Sequence, residues 1–491
     1  VTAPEIEHSG TPPADPKRWL ALVVIAVSQL MIVLDASIVN IALPSAQHAL
    51  HISTANRQWV VTAYTLSFGG LLLLGGRVAD FLGRKRVFVF GLLGFALFSA
   101  VGGLAPDAAL LFIARAAQGV FAALMAPAAL ALITVTFTEP KERATAFGVY
   151  GGISGGGAAI GLIAGGLLTE YASWRWCLLV NTPVAIATAI AALLVVRESK
   201  VEARARYDIP GAVTITAGTL AIVYGFTTAG TDGWGSGTTI GLLAAAAVLL
   251  TAFVVIELRS QSPLLPLRVV LDRNRGGSFF ASLLVGAALF GMFLLLTYYF
   301  QGTLGYSALK TGVAFLPFSA GIIVAAGLAS QLLPRVGPRN LMAAGMSLGT
   351  VGLVWIATLQ PTGGFLVHIL PGEILLSFGM GLVFVPLSSS ALIGVREEDA
   401  GVASALVNTT QQVGGSLGTA LLNTLAASGL AGYLATHHVR SAAVERAAAT
   451  HGFSGAFVLS FVLLAVGAVG VGLLVRAGVD EIPVDVAPAA V

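Results

Sequence analysis

The chain has 491 residues, 56% of them hydrophobic and only 10% charged, with a mean hydropathy of +0.90. No soluble domain of this length is so apolar, and in hydrocarbon only helices or closed barrels leave no backbone group unpaired; the apolar runs far exceed the ten or so residues of a barrel strand, which leaves an all-α bundle. The net charge of +3 comes from basic residues scattered through short loops, which excludes a nucleic-acid partner, and the single Cys177 excludes an internal disulfide and a cysteine-based metal site.

Pro4, Pro12, Pro13 and Pro16 precede the first apolar run without a basic n-region or a small-residue cleavage site, so 1–19 is expected to be a cytoplasmic tail. A ruler of about twenty apolar residues per span then predicts helices at 20–43, 57–75, 87–105, 109–136, 144–168, 176–196, 209–229, 238–258, 276–301, 312–333, 339–358, 366–395, 402–427 and 454–476. That makes fourteen. An even count puts both termini on one side, and the Lys and Arg bias decides which. The N-terminal side holds Arg18, Arg77, Arg84, Lys85, Arg86, Lys141, Arg143, Arg197 and most other cations, against Arg57, Arg175, Lys310, Arg440 and Arg446 on the far side. Both termini are therefore expected in the cytoplasm, in a monomeric multi-pass protein of a bacterial cytoplasmic membrane. The outer segment from Ser428 to His451 is long, and the residues do not choose between a helix and a lid.

Two echoes suggest repeated halves. The basic turn Gly83-Arg84-Lys85-Arg86 after the second span is matched by Arg335-Val336-Gly337-Pro338-Arg339 after the tenth, and Glu142-Arg143-Ala144 at the fifth by Glu398-Asp399-Ala400-Gly401 at the thirteenth. Both fit an architecture of 6 + 2 inserted + 6: an N-terminal bundle over 20–200, an inserted pair over 201–260, a C-terminal bundle over 261–476 and a tail over 477–491. Chance recurrence of charged turns is the alternative.

Three ionisable groups fall at bilayer depth, where each costs about 3 kcal/mol or more and is by default a functional candidate. Asp35 lies about 8 residues from the outer end of the first span, roughly 12 Å deep at about 1.5 Å per residue. Arg115 and Glu373 lie roughly 10 Å deep in the fourth helix of each half. A central cavity between the halves is expected to receive all three, with Asp35 beside Arg115 gaining and losing a proton in competition with a cation. The alternatives are a static ion pair pinning helix 1 to helix 4 and, for Glu373, a carboxylate that reaches water. Arg115, Gln118 and Gly119 share one helix face. Gln29, Asn40, Tyr64, Gln301, Asn408 and Gln412 add hydrogen-bonding groups that serve equally as ligand contacts or as glue between helices.

The fifth span carries two ladders at four-residue spacing, Gly148-Gly152-Gly156 and Gly157-Gly161-Gly165, with Gly166 beside the second; both predict tight helix packing. In the turn Gly76-Arg77-Val78-Ala79-Asp80-Phe81-Leu82-Gly83-Arg84-Lys85-Arg86, two glycines bracket a tight bend and Asp80 is placed to cap a helix or pair with Arg84. That turn reads either as an anchor to anionic lipid or as a latch that breaks when the inner gate opens.

Together these residues resemble the major facilitator superfamily, and within it the fourteen-span drug:proton antiporters. Gly76–Arg86 matches the signature loop between helices 2 and 3, with Phe81 where a basic residue is usual. The run from Leu34 to Pro44, with Asp35 second, resembles the helix 1 motif. Arg115-Ala116-Ala117-Gln118-Gly119 is similar to the helix 4 motif associated with proton transfer, and Ser173-Trp174-Arg175-Trp176-Cys177-Leu178-Leu179-Val180-Asn181-Thr182-Pro183 to a hallmark before helix 6. The resemblance implies a proton-driven exporter of amphipathic, cationic drugs or antibiotics working by alternating access, with protons as coupling ion, membrane lipid as surroundings and no cofactor. One departure stands out: the helix 5 antiporter motif has a Gly-Pro step, and this sequence has Gly161-Leu162, which puts direction and coupling in question. Glu373 stands where an apolar residue is expected.

The rivals are an exporter dedicated to an endogenous metabolite, siderophore or lipid, an uncoupled uniporter, and a membrane-embedded enzyme or sensor. Against the last stand the lack of a phosphate-binding glycine loop and the isolation of His48, His51, His437 and His438 from supporting ligands. No enzymatic activity and no bound metal are expected.

Overall fold

A computed structural model describes residues 16–137, 139–199, 208–260, 263–395, 399–437 and 441–478. The expected tails, but for their innermost residues, and the turn residues Arg396, Glu398, His438 and Arg440 lie outside these. Every regular element among the described residues is helical: α1 (Arg18–Ala49), α2 (Trp59–Leu82), α3 (Arg84–Gly103), α4 (Ala108–Thr136), α5 (Pro140–Tyr171), α6 (Trp176–Leu179), α7 (Asn181–Val195), α8 (Ile209–Asp232), α9 (Gly237–Arg259), α10 (Leu267–Val270), α11 (Arg273–Tyr298) continued by a π-helical turn (Tyr299–Thr303), α12 (Ala308–Ala314), α13 (Leu316–Val336), α14 (Pro338–Ile356), α15 (Phe365–His368), α16 (Leu370–Ser390), α17 (Ala400–Thr436) and α18 (Ala442–Leu474). Twelve described stretches are long and apolar enough to cross a membrane. The predicted spans 144–168 and 339–358 fall on α5 and α14, outside that set; the apolar stretch of α5 is Gly157–Tyr171, and α14 opens on Pro338, Arg339 and Asn340.

Several helices overrun the spans expected from hydropathy. α1 continues to Ala49 through Pro44; proline is tolerated in membrane helices because neighbours make good the lost backbone bond. α17 runs to Thr436, and α18 starts at Ala442, capped by the Ser441 side chain, which accepts from the Val444 amide. Most of the long segment after Ser428 is thus an extension of two helices. The sixth span breaks at Val180 into α6 and α7, which puts Asn181 at the head of a new helix.

The helices pack in a repeated pattern. In the first bundle α1 lies on α5, α2 and α3 on α4, and α3 on α7; in the second α11 lies on α17, α13 and α14 on α16, and α14 on α18. α8 and α9 pair with each other, and α8 also touches α2 and α17. Bonds between helix ends define two faces. At the terminal face, where the described chain begins and ends, Arg18 pairs with Glu142 at 2.8 Å, the Arg84 amide donates to the Ser199 carbonyl, and Asn274 accepts from the Arg476 amide at 2.7 Å. At the opposite face one apolar core runs through both bundles, joining Ile38, Leu43, Val60 and Trp174 to Leu295, Phe300 and Phe318. The rest of the first bundle has its own core around Phe88, Phe95 and Leu132.

Candidate functional site

Asp35 lies in mid-helix on the face of α1 that also buries Ser28, Ile32 and Val39. Arg115 comes from two turns inside α4, whose start is fixed by Asp107 accepting from the Leu110 amide at 2.9 Å. Arg115 Nη1 donates to Asp35 Oδ2 at 2.6 Å and to Gln118 Oε1 at 3.0 Å, and its Nε donates to the Val60 carbonyl at 2.9 Å. The guanidinium carbon stands 4.4 Å from the centre of the Tyr64 ring, a cation–π contact strengthened by desolvation. The other carboxylate oxygen, Asp35 Oδ1, accepts from Asn181 Nδ2 at 2.9 Å and from Gln118 Nε2 at 3.4 Å, while Gln118 Nε2 also donates to Ser99 Oγ at 2.6 Å. Gly119 makes this possible: a Cβ there would run into the Tyr64 carbonyl and sit 2.9 Å from Ser67, so only glycine lets α2 bring Tyr64 over the guanidinium.

Five helices of one bundle thus enclose the pair, and Asp35 and Arg115 are 0% and 1% exposed. A buried ion pair is tolerable only when further hydrogen bonds offset several kcal/mol of desolvation per ion. Both oxygens of Asp35 are engaged, so this one meets the condition.

The expectation of one compartment shared by Asp35, Arg115 and Glu373 is not met. The carboxylate-bearing face of α1 turns to α4 and α7 inside the first bundle. Glu373, on α16 in the second, is 0% exposed and neither of its carboxylate oxygens has a hydrogen-bond partner.

The other candidates divide between the pair and the seams. Tyr64 belongs to the network already described. Gln29 accepts from Tyr150 Oη at 2.6 Å, and Asn40 Nδ2 donates to the Ala36 carbonyl at 3.0 Å within α1. Gln301 Nε2, in the π-helical turn, donates to the Ile41 carbonyl at 2.9 Å and so ties one bundle to the other. On α17, Asn408 is exposed, and Gln412 presses its Cβ to within 2.6 Å of where a Cβ on Gly69 would stand. Close by, Thr65 and Ser416 hydroxyls share a hydrogen bond of 2.7 Å across the same α2–α17 seam.

Of the two glycine ladders Gly157-Gly161-Gly165 packs; in the other, the surroundings of Gly156 lie outside the described residues. Gly157, Gly161 and Gly165 lie on α1, against Val33, Ser37 and Ile38 respectively, and a Cβ at Gly161 would collide with the Ser37 hydroxyl. Gly148 and Gly152 do not pack: both are exposed, and nothing stands within 4 Å of a Cβ at Gly152. The reason is geometric. Gly148, Gly152 and Gly166 share one face of α5; Gly166 meets Leu309 of α12, and a turn away the Leu162 carbonyl meets Gly312. Three turns along from Gly312, Ile323 on the same face of α13 is 52% exposed and Gly327 meets nothing within 4 Å. Along α5 the bundles touch at the opposite face and part towards the terminal face.

In the basic turn, Asp80 Oδ1 accepts from Arg84 Nε at 3.0 Å and Nη2 at 2.9 Å, and Gly83 takes a φ of +106° that favours glycine. Gly76 makes only ordinary contact with Pro127, 3.5 Å from an added Cβ. Glu198 lies outside the sequence expectations: its carboxylate accepts from the Lys85 and Arg86 amides at 3.1 and 3.2 Å, closing the positive N-terminus of α3. The turn is therefore held mainly from within its own bundle, with one tie beyond it: Arg77 Nη2 donates to the Pro263 carbonyl at 3.0 Å.

Sequence reasoning counted Arg57 only as an outer-loop charge. It is 5% exposed, its Nε donates to Asn423 Oδ1 at 2.8 Å, Asn423 Nδ2 donates to the Thr54 carbonyl at 3.0 Å, and its guanidinium carbon lies 3.7 Å from the centre of the Tyr298 ring. This joins the α1–α2 turn to α11 and α17 at the opposite face. Beside it α8 holds both bundles, accepting from Gln58 Nε2 through Thr227 Oγ1 at 2.7 Å and from Thr424 Oγ1 through the Phe226 carbonyl at 2.9 Å.

Two helical bundles with the same internal pairing, joined at one face and carrying a sealed ion pair at membrane depth, define a multi-pass membrane transporter. The chain belongs to the Major Facilitator Superfamily, whose family model matches residues 25–419. It is 50% identical to the puromycin resistance protein pur8 of Streptomyces alboniger over 472 residues, 96% of this chain and 93% of that one. It is 40% identical to the cephamycin export protein CmcT of Amycolatopsis lactamdurans over 85% of this chain and 87% of that one. Among solved structures it superposes on a bacterial homologue of the human lysosomal transporter Spinster, inward-facing and occupied, with a TM-score of 0.64 at 14% identity over 97% of this chain and 100% of that one. An auto-inhibited peptide transporter of the POT family gives 0.65 at 16% identity over 93% and 97%. At such identities these two speak for the fold alone.

Proposed function

We propose that the chain is a proton-coupled exporter of amphipathic small molecules, antibiotics among them, working by alternating access with fourteen spans, α5 and α14 included, and with its terminal face in the cytoplasm. The observation that carries it is the Asp35–Arg115 pair, 2.6 Å apart and sealed from water. A proton arriving at Asp35 cancels half of a buried pair and leaves Arg115 without its counter-charge, which favours a rearrangement of α1 against α4. The positive-inside bias supports the orientation, and the names of the puromycin and cephamycin relatives support the substrate class. Two six-helix bundles, with α8 touching both and α9 packed on α8, supply the rocking parts. A gradient contributes about 2.3 kcal/mol per charge for each 100 mV.

Unbroken helicity of α5 from Pro140 to Tyr171 supports a second reading. With Leu162 after Gly161 the helix lacks a proline kink there, so loss of coupling and uniport is the alternative outcome of the same experiment. Purified protein is reconstituted in liposomes with an imposed pH gradient and assayed with puromycin. Gradient-driven uptake in wild type that is lost in D35N, with D35N inserted normally, supports antiport. Uptake indifferent to the gradient, or normal gradient-driven uptake by D35N, overturns it.

A further inference from the structure

The second bundle holds a carboxyl group that the Asp35 network does not reach. Glu373, Leu376, Met380, Val383 and Leu387 recur at helical spacing on one face of α16 and all are buried, whereas Ile374 on another face is 41% exposed. Glu373 therefore points into its own bundle. It occupies the fourth long helix of the second half, as Arg115 does in the first, yet it has no Asp35 opposite. Both of its oxygens are buried without a hydrogen-bond partner.

Among the described residues no neighbouring charge offsets it. Glu373 lies in the first turn of α16, near the opposite face. The charges of the helices packed on α16 are Arg339 in the first turn of α14, Arg335 in the last turn of α13, and Arg273 and Arg275 at the start of α11, all at the terminal face. Tyr298 of α11 is engaged by Arg57, and the exposed His368 of α15 contacts the Gly364 carbonyl at 3.3 Å.

An ionised carboxylate isolated in so apolar a place is far costlier than the neutral acid. We infer that Glu373 is a second proton-binding site, independent of Asp35, which gives up its proton to take a lipophilic organic cation when the second bundle opens. The exchange balances: the carboxylic acid and the cation yield a carboxylate–cation pair and one proton released to water. A neutral substrate has no such exchange to make, so Glu373 sets the charge preference and adds one proton per cationic substrate carried. This rests on the exporter reading, but its tests do not depend on transport.

Two measurements on the full chain in lipid vesicles test it. Infrared spectra at neutral pH are expected to show a protonated carboxyl band that moves on isotopic labelling of glutamate, disappears in E373Q and persists in D35N and in E257Q, which removes the buried glutamate of α9. Tetraphenylphosphonium, followed with a pH-sensitive dye in weakly buffered solution, is expected to release protons from wild type and D35N but at least tenfold fewer from E373Q. The glutamine variant keeps the shape of the side chain, so a folding defect is not expected, and E373L serves as a second non-ionisable replacement. A labelled-glutamate band that survives in E373Q, equal proton release from E373Q, or no release from wild type overturns the inference. Failure of D35N to lose coupled transport would count against the exporter mechanism and leave this site standing.

Discussion

Hydrogen bonds to a buried charge decide whether it is an asset or a defect, and Asp35 shows which ones matter. Arg115 serves Asp35, Gln118 and the Val60 carbonyl at once while lying over Tyr64. A planar fork can do this and an ammonium cannot. R115A, which strands the carboxylate, is expected to cost about 3–5 kcal/mol, and R115K is expected to recover little of it; thermal unfolding of the detergent-purified protein measures both. Asn181 is subtler. Its 2.9 Å donation to Asp35 Oδ1 is a hydrogen bond to a charged group, worth about 1.5–3 kcal/mol. N181A is thus expected to slow gradient-driven flux by about tenfold or more with little change in the amount inserted, read as initial rates in vesicles. A mere packing role for Asn181 would lower stability and leave the rate per folded molecule unchanged.

Between helices the deciding quantity is whether a Cβ fits. At Gly161 it would strike Ser37, and overpacking of this kind costs about 1–3 kcal/mol. G161A should therefore lower the unfolding temperature, whereas G152A, facing open space, should leave it unchanged or raise it through better helix propensity; equal effects of the two would contradict the geometry. The contrast also shows what could be read from the chain. Four-residue spacing announced that α5 packs tightly, but both ladders have that spacing, and only the partner's position tells one from the other. Likewise Asp35 and Arg115 declared themselves as charges in apolar runs, and the helix 4 motif placed Gln118 beside them. Ser99 carries no such signal, since a serine in an apolar helix is common; Asn181 stood in the hallmark before helix 6 without a role attached, and only the break at Val180 aims it at Asp35. Another tie at this scale is electrostatic. Glu170, at the end of α5, accepts from the Leu309 amide at 3.0 Å, and hydrogen bonds from Ser307 and Leu309 hold its carboxyl below the usual carboxylate range. A depressed folded value means the contribution is complete above the unfolded value of about 4.3 and is lost only as pH falls through the lower folded one. Spin labels at Tyr171 and Lys310, both exposed, are therefore expected to keep their separation from neutral to mildly acidic pH in wild type. In E170Q, which removes the ionised acceptor, the separation should widen at neutral pH.

For the whole molecule the ties lie unevenly. Arg57 with Asn423 and Tyr298, Gln301 with Ile41, and Glu170 with Leu309 all join the bundles at the opposite face, while Gly152 and Gly327 mark where the α5–α13 seam parts towards the terminal face. Alternating access then requires the first set to break as the seam closes. Arg57 is the strongest single member, because among the described residues its buried charge meets no carboxylate and is held by an amide oxygen and a ring face. Once the face opens, that charge regains water, so the latch is a near balance in which a small change shifts the population. Losing one hydrogen bond of a charged group and one desolvated cation–π contact removes about 3.5–5 kcal/mol from the closed state; with the cation's own desolvation cost also gone, about 2–3 kcal/mol remains, or roughly 30- to 150-fold in the ratio of the two states at about 1.4 kcal/mol per tenfold. Spin labels on cysteines at Gly152 and Gly327, with Cys177 replaced by alanine, report that ratio. In the Arg57 background the long separation should dominate. R57A should move the distribution towards the short one, and R57K should fall between, since it keeps the charge over Tyr298 but loses the planar fork. If R57A leaves the distribution where it was, Arg57 is packing and the closure of the opposite face rests on α8 and the apolar core instead.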